Sequence, residues 1–385
     1  MNSPAETLKR ALSLATGRLY TLPILTLMPH SRCNCRCLMC DIWRDNANKR
    51  EISPEAVARW MAVLQQLGTR WVVLSGGEPL MHSDLFGLCQ VLRRAPVRLT
   101  LLSTGLLLAK YAAEVVTFVD DVIVSLDGSP TVHNRIRNVP HAYERLAEGV
   151  AALKALRPDF RVTARCTLQK ANYADLPNII ETAHALGLDQ ISFLAVDVST
   201  TAFGRPEGWG PERVASVALD AEDVARFRAI LDEVIARYSA DFQSGFIAES
   251  PAKLRRLPAY FAALLGQGHF PEVACTAPWV SAVIEADGTV RPCFFHRGFG
   301  NALEQPLDAI LNSDEAIAFR RNLNVRTDPI CRKCVCSLNL RPHHGVKGQA
   351  EGWPRPAPQA RAPRAPNAPG GTSPRRSPGP GWGKR

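Results

Sequence analysis

Short apolar runs alternate along the chain with longer stretches in which apolar side chains recur every three to four positions. The short runs predict strands at 23–27, 71–74, 98–102, 121–124, 161–167 and 190–194. The longer ones predict helices near 54–67, 84–94, 109–118, 141–156 and 175–186, after an amphipathic lead-in helix within 1–20. Ser53-Pro54-Glu55 is a helix start, with an N-cap serine and a proline at the first helical position. Gly68 and Gly187 suit helix ends. Strands separated by helices pair in parallel through right-handed crossovers. The repeat of about 29 residues per unit is close to that of an eight-unit barrel. Six units therefore predict an α/β fold, a partial (β/α)6 TIM-like barrel. Its functional face lies at the carboxyl ends of the strands.

Beyond the sixth strand the pattern changes. Residues 195–219 are polar with glycine and proline and predict a loop. Helices are expected over 220–238 and near 251–266. An apolar run at 279–284, an Asp287-Gly288 turn and a second run at 290–293 predict a hairpin, followed by short helices near 306–312 and 314–323. The expected organisation is a helical lead-in (1–20), the barrel (21–219), a helical connection (220–270), a small cysteine-rich α+β domain (271–340) and a tail (341–385).

Composition narrows the picture. The chain has 385 residues and a formal charge of +10. Residues 341–385 hold nine Lys/Arg and one acidic residue, Glu351, so +8 belongs to the tail and about +2 to the rest. The tail, rich in proline, glycine and arginine, is expected to be disordered. A near-neutral body argues against nucleic acid as a partner, because such binders carry a basic folded surface. No apolar run is long enough to cross a bilayer, and no signal-like core stands at the N-terminus, so no membrane contact and a cytoplasmic location are expected. Eleven cysteines in such a chain point to metal or redox chemistry rather than a disulfide framework.

The cysteines form two groups. Cys33-x3-Cys37-x2-Cys40 follows the first strand. Three thiolates this close suit an iron–sulfur cluster or zinc. On a four-iron cube they leave one iron open for a substrate or cofactor. Cys35 is expected to point away. The second group is Cys275-x17-Cys293 around the hairpin and Cys331-x2-Cys334 after it, with Cys336 nearby. Four thiolates can close a site, and a structural zinc in a binding protein is the alternative at this point. Cys89 and Cys166 lie on apolar-patterned elements and are expected in the core.

Ser75-Gly76-Gly77-Glu78-Pro79 follows the second strand, Ser103-Thr104-Gly105 the third and Ser125-Leu126-Asp127-Gly128 the fourth, with His133 to Arg137 downstream. With the three-cysteine spacing, these motifs make the chain resemble the radical S-adenosylmethionine (SAM) superfamily. The resemblance implies a [4Fe–4S] cluster on Cys33, Cys37 and Cys40. It implies SAM contacts from Gly76, Gly77, Glu78, Pro79, Ser103, Thr104, Ser125 and Asp127. The family usually has an aromatic residue just before the third cysteine. Met39 stands there and is apolar enough to serve against the adenine. Cys275, Cys293, Cys331 and Cys334 resemble the SPASM/twitch extension in its shorter form and imply a second, auxiliary [4Fe–4S] cluster. Cys336 is a spare or replacement ligand.

The implied activity is reductive cleavage of SAM to a 5′-deoxyadenosyl radical that takes a hydrogen atom from a substrate. The auxiliary cluster would accept an electron, making the enzyme an oxidoreductase. A reducing partner such as flavodoxin or ferredoxin is implied. Arg165, on the fifth strand, is a candidate SAM or substrate contact. Asp197, just past the sixth, is a candidate base, though carboxylates on loops more often face water. The short lead-in favours a small-molecule substrate over a ribosomal peptide.

Overall fold

The computed structural model describes residues 3–342. The expected tail, apart from its first two residues, lies outside the described residues. Six parallel strands follow one another in sequence order: β1 (Ile24–His30), β2 (Trp71–Gly76), β3 (Arg98–Ser103), β4 (Asp121–Ser125), β5 (Arg161–Leu168) and β6 (Gln190–Ala195). Each extends its predicted run by one to three residues at the carboxyl end. Those extra positions carry His30, Gly76, Ser103, Ser125 and Leu168, where pairing continues past the apolar core. Helices return the chain between strands. Pro54–Gln66 starts on Ser53, whose hydroxyl accepts from the Ala56 amide, as its sequence dictates.

The strands bury Leu25, Leu27, Val72, Leu74, Leu99, Leu101, Val122, Val124 and Val162 completely, in one core with helix residues such as Trp60, Leu88 and Leu153. Cys89 and Cys166 are fully buried in that core, as expected. The β6 edge is covered by the segment at 246–249. The Ile191 amide donates to the Phe246 carbonyl, and the Phe193 amide to the buried Glu249 carboxylate. Such cover removes an open template for pairing with another chain.

The cysteine-rich segment is sewn into this sheet. β7 (Ser281–Ile284) pairs in parallel with β1, and β8 (Thr289–Arg291) and β9 (Gly300–Asn301) follow antiparallel, giving the order β6-β5-β4-β3-β2-β1-β7-β8-β9. The buried Arg320 guanidinium donates to the carbonyls of Gly17, Pro278 and Leu311, tying the lead-in helix (Pro4–Thr16) to the C-terminal segment. Trp60 donates to the Ala302 carbonyl. The sheet therefore runs on across the expected boundary at 271.

Local differences from the sequence reading have identifiable causes. Pro211–Val217 is a helix inside the expected loop, opened by proline at its first position. Ala277–Val280 is a helical turn where a strand was expected, since its apolar residues form one buried cluster rather than alternating. Pro130–Arg137 is a helix too polar to show an apolar period. The helix expected near 251–266 is broken at Arg255.

Candidate active site

The Cys33–Cys40 loop leaves the carboxyl end of β1 and is held from three sides. On one, Asn46 accepts from the Cys33 amide and donates back to its carbonyl (3.0 and 2.9 Å). On the second, the amides of Arg36 and Leu38 donate to the carbonyls of Arg137 and Ile136 at the end of the Pro130–Arg137 helix. On the third, the Asp41 amide donates to the Phe203 carbonyl, and Trp209 donates to the Asp41 carboxylate at 2.6 Å. Gly77 lies flat on this loop. A Cβ there would stand 2.1 Å from the Arg32 carbonyl oxygen. Gly76 has φ +105°, which side-chain-bearing residues rarely adopt. The two glycines thus let the end of β2 pass under the cysteine loop.

The thiol environments differ. Burial pushes Cys33 up and Cys40 up to about 12. Cys37 is held down, because the Cys35 thiol donates to it and the Arg137 guanidinium, 3.5 Å away, also favours its thiolate. Cys35, expected to point away from a metal, is fully buried and in contact with Cys37.

Several motif residues build the loop's support rather than a pocket wall. Glu78 is fully buried. Its carboxylate accepts from the Thr104 amide and hydroxyl (both 2.7 Å), from the Ser103 hydroxyl and from the Leu80 amide. Desolvation pushes its pKa up against those bonds. The Thr104 hydroxyl oxygen also lies 2.9 Å from the side-chain amide of Asn34 in the cysteine loop. Asp127 is likewise fully buried. It is ion-paired with Arg137 and accepts from the Thr167 amide. Glu78, Ser103, Thr104 and Asp127, the expected cosubstrate contacts, stand here with their side chains turned to protein partners. Their polar atoms bond to the protein, because buried carboxylates need internal donors. Pro79 is buried at the start of a short 3₁₀ turn. The Asp127–Arg137–Cys37 chain and the Glu78–Thr104–Asn34 chain both end on the cysteine loop.

A cavity of about 260 Å³ opens at the carboxyl ends of the strands. Of the expected site residues, Met39, Cys40, Ser125, Arg165 and Asp197 line it. Ser75, Leu102, Thr167, Phe203, Phe294 and Phe295 also line it, and of these only Ser75, which opens the Gly-Gly-Glu-Pro motif, stands in a sequence motif. The signal available for the first three was their place at or near the last residue of a strand. Asp197 is neither water-facing nor free. It is buried against the Arg205 guanidinium and the Thr200 hydroxyl, so the candidate base is already committed to an ion pair.

The second group converges as well. Cys275, Cys293, Cys331, Cys334 and Cys336 all line one cavity of about 100 Å³. Burial raises the first four thiols, Cys293 to about 11. The His296 ring lies 3.3 Å from the Cys331 sulfur, and Asp328 shares the group. Cys336 also lines the 260 Å³ cavity, so the two cysteine groups share a wall.

Residues 27–183 match the family model of the radical SAM superfamily, and residues 275–335 that of the SPASM iron-sulfur cluster-binding domain. The chain carries a radical SAM domain followed by a SPASM domain. Its cofactors are accordingly [4Fe–4S] clusters and SAM. The AdoMet-dependent heme synthase of Methanosarcina barkeri is 28% identical over 40% of this chain, and the match spans 45% of that enzyme. The Fe-coproporphyrin III synthase of the same organism is 24% identical over 83% of each chain. The PqqA peptide cyclase of Ruegeria pomeroyi is 26% identical over 68% of this chain and 65% of its own length. Among solved structures, Streptococcus suis SuiB bound to S-adenosylmethionine has TM-score 0.61 and 15% identity over 88% of this chain and 79% of its own, a likeness of fold. The residues present fit the cofactors. The five thiols of the second group line one cavity, and Cys33, Cys37 and Cys40 stand near enough for the charge of one to raise the others. The buried side-chain amide of Asn34, inside the first cysteine motif, has no protein hydrogen-bond partner for its nitrogen. No helix among the described residues is long and apolar enough to cross a membrane.

Proposed function

We propose that the chain is a radical SAM oxidoreductase in which Cys33, Cys37 and Cys40 hold the catalytic cluster and the cavity beside Cys40 takes SAM and substrate. The observation that carries this reading is the placement of Cys40, Ser125, Thr167 and Arg165 around one cavity at the strand ends. When bound, the cluster and SAM supply reductive cleavage of the sulfonium to methionine and a 5′-deoxyadenosyl radical, which removes a substrate hydrogen atom.

The protein's part is positioning and exclusion. Arg137 donates to Cys37 and holds its sulfur as a thiolate. The backbone at Gly76 and Gly77 seats the end of β2 against the loop that carries the cluster ligands. Met39, Leu102 and Ile123 give apolar cover for its adenosyl part. Phe203 packs near Phe294 and Phe295 (ring centroids 6.2 and 6.0 Å) and keeps water from the cavity. Cys275, Cys293, Cys331 and Cys334 hold the auxiliary cluster, beside which Cys336 stands in the shared wall. Asp197 fixes Arg205 and takes no proton. An external reductant such as flavodoxin or ferredoxin supplies the electron.

A small-molecule substrate is favoured by the match to Fe-coproporphyrin III synthase, which runs along most of both chains. The partial match to PqqA peptide cyclase supports a peptide as the second reading. The test is anaerobic reconstitution with iron and sulfide analysis, followed by dithionite and SAM. About eight irons per chain and release of 5′-deoxyadenosine are expected. An intact first cluster that yields no 5′-deoxyadenosine refutes the radical assignment. Zinc in place of iron at the second site refutes the auxiliary cluster. Deuterium transfer into 5′-deoxyadenosine from small-molecule and peptide candidates separates the two substrate readings.

A further inference from the structure

A second concave surface adjoins the 260 Å³ cavity and shares Arg165, Leu194, Val335 and Cys336 with it. This outer pocket of about 140 Å³ is lined by four cations, Arg165, Lys253, Arg256 and Arg332, and by one carboxylate, Glu249. Glu249 is already bonded to the Phe193 amide and pairs with Lys253 at 3.4 Å. Among the described residues, Arg165, Arg256 and Arg332 have no carboxylate partner; Arg165 donates to the Ser192 hydroxyl and Arg256 to the Glu272 carbonyl. A local excess of three positive charges thus stands on a body whose net charge is about +2. Inward of it the walls turn apolar, with Leu102, Ile123, Val196, Phe294 and Phe295.

We infer that this mouth binds the acidic groups of an amphiphilic substrate, whose apolar, reacting portion extends past Arg165 into the inner cavity. The substrate class is a small molecule bearing at least two carboxylates or phosphates remote from the carbon that loses hydrogen. Guanidinium groups present paired donors that match either oxyanion. Three unpaired cations around one concavity favour a multiply charged ligand over a monoanion. The inference rests on the proposed radical reading for the word substrate, while anion binding itself does not.

The test titrates two probes, tricarballylate and tripolyphosphate, into the reconstituted full chain at low salt by calorimetry. At least one binds. Arg256→Gln with Arg332→Gln weakens it tenfold or more, whereas Arg256→Lys with Arg332→Lys retains binding. Arg226→Gln with Arg228→Gln removes the same charge from the exposed face of the Ala221–Arg237 helix and changes affinity less than threefold. Preference for tricarballylate assigns carboxylates, and preference for tripolyphosphate assigns phosphates. Four results overturn the inference: no binding of either probe up to about 10 mM, equal binding to the Gln pair, equal loss in the Lys pair, or equal loss in the Arg226/Arg228 pair. Release of 5′-deoxyadenosine is measured on the same preparations. Its absence sinks the radical reading without touching anion binding, and intact release with no anion binding sinks only the substrate class.

Discussion

The two cysteine groups are built in opposite ways. The first lies within eight residues of sequence, on a loop clamped by backbone bonds to the Pro130–Arg137 helix and to Phe203, with two buried polar chains ending on it. The second gathers residues from 275 to 336 at a partly exposed margin of the sheet, held by the Thr276–Leu338 backbone bond and the Asp328 cap on the Cys331 amide. The first thiols are arranged by the core of the fold. The second are arranged by the meeting of distant segments, which costs more chain entropy to close. On the proposed function, the preorganised site is the one that cleaves SAM and the site closed by distant segments is the electron outlet.

The sharpest break in that comparison is a pair of cysteine deletions. Cys37→Ala should remove the first cluster, roughly halving bound iron, and lower 5′-deoxyadenosine release at least a thousandfold, an order set by loss of the whole reacting centre. Cys275→Ala should cost similar iron while keeping SAM cleavage without substrate within about tenfold, since the first site is untouched. Equal loss of cleavage in both variants would erase the functional contrast.

Next in size is the support of the first loop. Asp127→Ala leaves the buried Arg137 charge without its counter-ion. Breaking such a pair typically costs about 3–5 kcal/mol. A fall of that size in the unfolding free energy from urea titration is expected, with a lower midpoint, and an unchanged midpoint would show that Arg137 finds another partner.

The smallest effect, over the range from pH 6 to pH 4, is one of pH. His133 is fully buried beside Arg137, and desolvation with that neighbouring charge depresses its pKa from 6.5 to about 3. Its Nδ1 accepts from the Asp127 amide at 3.2 Å, so the ring is neutral when folded. The unfolded chain binds a proton there below 6.5 while the folded one does not until about 3. The contribution is fully present above 6.5 and is lost as pH falls, at about 1.4 kcal/mol per pH unit over that window. His133→Asn keeps an acceptor for the amide and should flatten this slope in urea titrations between pH 6 and pH 4.

Much of the fold was legible in the sequence. The six parallel strands, the helices between them and the Ser53 cap follow from apolar period and local capping chemistry, which act over a few residues. The cysteine spacings were legible for the same reason, and so was the placement of Met39, Cys40, Ser125 and Arg165 near strand ends. The partners of Glu78 and Asp127 were not. A motif says which residue types stand after a strand. It does not say whether a carboxylate faces a cavity or turns back to cap Thr104 or pair with Arg137, because that depends on donors from other strands. Asp197 shows the same limit, since its Arg205 partner, eight residues on in the same loop, must fold back onto it.

The sequence by itself thus determined the order of strands and helices, the two sets of thiols and the family whose motifs they share. Only the tertiary structure decided that β7 continues the barrel sheet beside β1, that Cys336 stands in a wall common to both cysteine groups, and that Arg165, Arg256 and Arg332 meet at one mouth. Local propensity and spacing are written in neighbouring residues. Which buried charge meets which donor, and which distant side chains share a cavity, is fixed only when parallel strands bring their carboxyl ends together.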